Sequence, residues 1–160
     1  MTLVLESYAA RFPELGGTDR DAFVLLDVGG RREERPAGYR ESAPPAEGQR
    51  PPLCLAIAID ASSSMRGPRF ALALQATRNV VSSLGPQDRL AVITFDRSAR
   101  VVFGPVALDA EGSAHARRAL DRLATGVGTN LGAGWREAAE AVLRVMVPNS
   151  VRRVLVLTDG

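Results

Sequence analysis

Three separate stretches of this sequence end in small oxygen-bearing side chains. They are Asp60, Ser62 and Ser64 in Asp60-Ala61-Ser62-Ser63-Ser64, Thr129 in Thr125-Gly126-Val127-Gly128-Thr129-Asn130, and Asp159 in Thr158-Asp159-Gly160. If Asp60 and Asp159 end neighbouring strands, about 4.8 Å apart, their charges repel. Either one then takes up a proton or a cation neutralises both. The set is all oxygen, without His or Cys, and suits a hard ion of near-octahedral geometry, Mg2+ or Mn2+.

Two other readings compete. Asp and Ser are preferred helix N-caps, so the first cluster alone could cap a helix starting near Gly67, and Thr129-Asn130 could cap the next. The matching donors at Thr129 and Asp159 turn the balance toward a cation site. Asp60 could also serve as the nucleophile of a Mg2+-dependent phosphatase. That chemistry calls for a second acid two residues on, where Ser62 stands, and for a Lys to hold phosphate, of which the chain has none. Asp96 is expected to begin a turn, His115 to lie on the surface, and Trp135 and Cys54 to pack in the core. Tyr8 and Tyr39 form no constellation.

Positioning these donors falls to an alternation of strands and helices. Residues 53–59 are an unbroken apolar run, as in a strand buried on both faces of a parallel sheet. Such a sheet offers its chemistry at the carboxyl ends of its strands, which is where Asp60, Ser62 and Ser64 fall. A helix follows Gly67-Pro68, with Phe70, Leu74, Thr77, Val81 and Leu84 at helical spacing, and ends at Gly85-Pro86. Residues 90–95 form a second apolar strand. Residues 100–106, with Gly104-Pro105, read as an edge strand, since proline cannot serve a central ladder. A helix capped by Ser113 follows, then the glycine-rich loop, a helix carrying Leu131, Trp135, Ala138, Val142 and Val145, and a last strand over 151–157.

The fold class is therefore α/β: a Rossmann-like, mostly parallel open sheet flanked by helices. Ahead of it, residues 3–8 and 22–28 read as two strands joined by a loop with Pro13 and Gly16-Gly17, a short N-terminal β appendage over 1–28 that needs another surface to lie on. Residues 29–51, rich in Gly, Arg, Glu and Pro, read as a flexible linker to a domain over 52–160.

Composition narrows the function. The chain has 160 residues, 46% hydrophobic and 24% charged, which fits one folded domain rather than a disordered chain. Its 20 basic residues are all Arg, but the net charge is only +2 and the Arg are interleaved with acids, so no nucleic-acid partner is expected. The start, Met1-Thr2-Leu3-Val4-Leu5-Glu6, lacks the pattern of a signal peptide, and no run is long enough to span a bilayer. A single Cys excludes an internal disulfide. A cytoplasmic protein without membrane contact is the expectation.

The two-part pattern of Asp60-Ala61-Ser62-Ser63-Ser64 with Gly128-Thr129-Asn130, followed by Thr158-Asp159-Gly160, resembles the von Willebrand factor type A domain and its metal-ion-dependent adhesion site. The resemblance covers residues 52–160. It implies that Ser62, Ser64 and Thr129 bind Mg2+ or Mn2+ directly while Asp60 and Asp159 reach it mostly through water. It also implies an open coordination position for a Glu or Asp of a partner protein, and no bond broken: a binding module rather than an enzyme. Neutral hydroxyl ligands leave the ion's charge largely unquenched, which is what attracts the incoming acid. The strands before residue 52 are similar to the leader preceding this domain in many bacterial members.

The chain departs from the family's pattern where Ser63 and Val127 replace glycines, so strain is expected there. The family's sheet continues past the Thr-Asp-Gly turn with two more strands, which this sequence lacks. The strand over 151–157 is thus expected at an edge, open to self-association, and the chain to be an incomplete domain, even a non-functional fragment needing a complementing half. The Gly160 carboxylate is expected to compete for the open metal position as a tethered ligand.

Overall fold

The run beginning at Leu53 takes the centre of the sheet because its side chains have no other place to be hidden: every residue from Cys54 to Asp60 is buried. In a computed structural model, which describes the backbone of residues 2–10 and 23–31 and the whole of residues 50–160, the strands are β1 (Thr2–Ala10), β2 (Phe23–Arg31), β3 (Leu53–Asp60), β4 (Arg89–Phe95), β5 (Ala99–Ala107) and β6 (Val151–Leu157). The helices are α1 (Pro68–Ser83), α2 (Ala110–Leu120) and α3 (Leu131–Arg144). The expected loop around Pro13, most of the expected linker (residues 32–49), Tyr39 and the Tyr8 side chain lie outside the described residues.

One six-stranded sheet runs in the order β1-β2-β6-β3-β4-β5. It is parallel at its centre, where β3 pairs with β4 and β6, and antiparallel at both flanks. The sheet is therefore mixed, and the parallel expectation holds for the three strands that carry the site. Alternation along β3 divides the core. Ile57 and Ile59 face Phe70, Ala73 and Val81 of α1 and Ala116 and Leu120 of α2. Ala56 and Ala58 face Ala138, Ala139 and Val142 of α3, with Trp135 packed against the same cluster. Burying each large aliphatic side chain contributes about 1.5–3 kcal/mol.

Three sequence expectations need correction. The strand expected at an edge, β6, is interior: β2 pairs antiparallel along it from Phe23↔Leu157 to Leu26↔Val154, which covers the part of β6 next to the carboxyl edge of the sheet. The outer strands are β1 and β5, and at β5 the expectation from Pro105 holds. The cap of α2 is Asp109, whose carboxylate accepts from Gly112 N at 2.8 Å, not Ser113. The second strand, expected over 22–28, also persists to Arg31.

Arg152, near the start of the last strand, closes α3. Its Nε and Nη2 donate to the carbonyls of Val142 (3.2 Å) and Val145 (3.0 Å), where a cation opposes the negative end of the helix dipole. Among the described residues no helix is long and apolar enough to cross a membrane.

At the amino ends of β3 and β4, away from Asp60, a buried carboxylate locks the frame. Asp88 is fully buried and accepts from Leu53 N (2.9 Å), Gly85 N (2.8 Å) and Arg50 Nη1 (2.8 Å), so it ties β3 to the turn that leads into β4. Burial pushes its carboxyl up, but the hydrogen bonds from Arg50, Gly85 and Leu53, with the Arg50 charge, outweigh it and hold the group at about 2. The stability this provides is fully present above the unfolded value of 3.8 and is lost as pH falls toward about 2. Asp88→Asn is expected to cost about 2 kcal/mol at pH 7. Urea melts of both proteins should show the difference shrinking between pH 4 and pH 2.

Candidate metal centre

The parallel pairing of β3 with β6 in the register Ile59↔Leu157 puts Asp60 beside Thr158 at the carboxyl edge of the sheet. Thr158 Oγ1 donates to Asp60 Oδ2 at 2.7 Å, and Ser62 N donates to Asp60 Oδ1 at 2.8 Å. Asp60 is fully buried, so these two bonds fix its carboxylate, while each oxygen retains a lone pair.

Ser62 Oγ and Ser64 Oγ lie 2.9 Å apart, and Ser64 Oγ donates to Asp159 Oδ1 at 3.1 Å. Since the Ser64 proton is used on Asp159, Ser62 is the donor in the serine pair. Both hydroxyl oxygens keep lone pairs for an electropositive guest. The other oxygen of Asp159, Oδ2, accepts from Arg69 Nη1 at 2.9 Å.

The capping alternative fails for the first cluster. The N-cap of α1 is Gly67, with no side-chain cap bond, and its φ of +84° is a conformation that favours glycine. Ser62 precedes a short 3-10 turn, Ser63–Met65, and makes no cap bond to it either. For Thr129-Asn130 the cap is real: Asn130 Oδ1 accepts from Ala133 N at 2.9 Å and opens α3. The strain expected at Ser63 and Val127 is absent, because Asn149 is the non-glycine residue with positive φ among those described.

Thr129 stands apart from the hydrogen-bonded set. It is exposed, on a loop tied to the turns after β3 and β4: Gly126 N donates to Ala61 O, and Arg97 N donates to Val127 O at 3.1 Å. A Cβ at Gly126 would fall 2.3 Å from Asp96 Oδ2, so glycine there lets the loop cross close to the sheet edge. Asp96 begins a turn, as expected, accepting from Ser98 N at 3.0 Å and pairing with Arg100. That backbone bond, with the Arg100 charge, holds its carboxyl below the usual range against the opposing effect of burial.

Four of the five sequence candidates, Asp60, Ser62, Ser64 and Asp159, thus meet in one hydrogen-bonded cluster, and Thr129 lies on a loop anchored next to Ser62. Sequence reasoning missed two participants. Thr158 was visible only as part of Thr158-Asp159-Gly160, and Arg69, two residues into α1, carried no signal. His115 is exposed, in an edge contact with Phe103, and Trp135 is half-buried against the core. Among the described residues no three His, Cys, Asp or Glu gather to hold a metal, so a cation here depends on the hydroxyls.

Comparison with known proteins agrees with this architecture. Residues 55–160 match the family described as von Willebrand factor type A domain. A relative from Arabidopsis thaliana, the E3 ubiquitin-protein ligase WAV3, is 29% identical over 151 residues, covering 86% of this chain and 20% of that protein. A von Willebrand factor type A protein from Catenulispora acidiphila superposes with a TM-score of 0.51 at 23% identity, over 84% of this chain and 28% of that one. Three N-terminal domains of the type V pili tip protein Mfa5 from Porphyromonas gingivalis give a TM-score of 0.55 at 15% identity, over 94% of this chain and 25% of that one. This chain thus spans about a fifth of the curated relative and about a quarter of these two structures. The match over residues 55–160 makes this chain a member of the von Willebrand factor type A domain family.

Proposed function

We propose that this domain is a protein-binding module that holds a divalent cation, Mg2+ or Mn2+, among Asp60, Ser62, Ser64, Thr129 and Asp159 and through it engages a Glu or Asp side chain of a partner protein. The reading rests above all on the run of hydrogen bonds from Ser62 through Ser64 to Asp159, beside an Asp60 held by Thr158, in residues that cap no helix. The donor set fits a hard dication: two carboxylates supply charge and the hydroxyls supply neutral oxygen. When bound, the ion supplies a Lewis-acidic position that attracts an anionic oxygen.

The chain's own residues do the rest. Thr158 and Ser62 N orient Asp60, and Ser64 aligns the near oxygen of Asp159. The anchored 125–130 loop brings Thr129 to the same edge as the serines. Burial of Asp60 concentrates its charge where water screens it poorly.

Mg2+ or Mn2+ at a hundredfold excess over the dissociation constant should stabilise the fold by about 2.7 kcal/mol. For a chain of this size that raises the melting temperature by about 5–10 °C, readable by calorimetry with and without EDTA. No shift at millimolar Mg2+ and Mn2+ would sink the reading. Ser64→Ala and Asp159→Asn should each remove most of the metal-induced shift. Each should also abolish metal-dependent binding of a Glu-containing peptide by the protein, measured by fluorescence anisotropy.

A further inference from the structure

Arg69 is the feature of this edge that the metal reading leaves unexplained. It occupies the second position of α1, and its side chain is 38% exposed, yet it leans back onto a carboxylate that is only 9% exposed. Nη1 donates to Asp159 Oδ2 at 2.9 Å, while Ser64 occupies Oδ1. The same hydrogen-bonded cluster contains the fully buried Asp60, so it holds two carboxylates and the Arg69 guanidinium. A guanidinium cannot give up its proton, so it remains a fixed positive charge at every working pH.

We infer that Arg69 is a built-in counter-cation of the site, which neutralises Asp159 when no dication is bound and which an entering dication must oppose or displace. The inference rests on the proposed metal site and deepens it. Its physical content is competition: the unit charge of Arg69 and the double charge of the ion both draw on Asp159, and at close range in a partly buried crevice they repel each other. Without Arg69 the empty site would hold two carboxylates with less compensation, which raises the free energy of the empty state more than that of the filled one. By linkage, the factor by which Arg69 weakens metal binding equals the factor by which the metal weakens the Arg69–Asp159 pair. Arg69 therefore sets the concentration of dication at which the site fills.

The test measures Mn2+ alone, by isothermal titration calorimetry, on the full chain and on Arg69→Gln and Arg69→Lys. Arg69→Gln should bind Mn2+ about tenfold more tightly, and its melting temperature without metal should fall while its gain on adding Mn2+ grows. Arg69→Lys, which keeps the charge, should stay within about twofold of the parent affinity. Added NaCl should narrow the difference between the parent and Arg69→Gln, since the effect is electrostatic. An unchanged or weaker Mn2+ affinity in a folded Arg69→Gln, with the parent binding normally, overturns the inference and leaves the metal site standing. A parent chain that binds no Mn2+ overturns both.

Discussion

The registered pairing of β3 with β6 is the constraint on which everything at this edge depends. Asp60 and Thr158 are 98 residues apart in sequence, yet their hydrogen bond exists because Ile59 stands opposite Leu157. A strand's side chains alternate with period two, so a slip of one residue would turn Val154 and Val156 away from α3 and carry Thr158 and Asp159 out of reach of the Asp60 turn. The buried faces thus specify the site: the apolar side chains that enforce the register also deliver the carboxylates. Arg152, bound to the last carbonyls of α3, fixes the same strand at its other end.

Much of this could be read from the sequence because local pattern and tertiary role agree. β3 is an apolar run up to Asp60 and β4 is apolar from Leu90 to Phe95 apart from Thr94, and both prove to be buried strands. α1 ends where Gly85-Pro86 predicts. Asp60, Ser62, Ser64 and Asp159 could be singled out because Asp60 ends one apolar run and Asp159 lies just past another. What could not be read was non-local. The place of β6 in the sheet depends on β2, a segment from the far end of the chain whose affinity for β6 has no local signature. Arg69 looks in sequence like any charge on a helix surface, and only the fold shows that it reaches Asp159.

Smaller misreadings have equally local causes. Ser113 and Asp109 are both good cap residues, and the choice between them turns on one helical turn of offset; the backbone N–H of Gly112 meets Asp109. Ser63 and Val127 replace glycines without strain because their backbone dihedrals fall in the ordinary range. Thr129 is placed by its loop's bonds to Ala61 and Arg97 rather than by any contact with the serines.

The position of β6 as the strand joining the β1–β2 hairpin to β3 gives the site a further property. β6 lies far along the sequence from β2, yet it bridges the two parts of the sheet, so its docking closes long loops. Half of the charged cluster, Asp159 with its neighbour Thr158, travels with it. Any excursion that peels β6 from β3 breaks the Thr158–Asp60 and Ser64–Asp159 bonds and opens the sheet in one step.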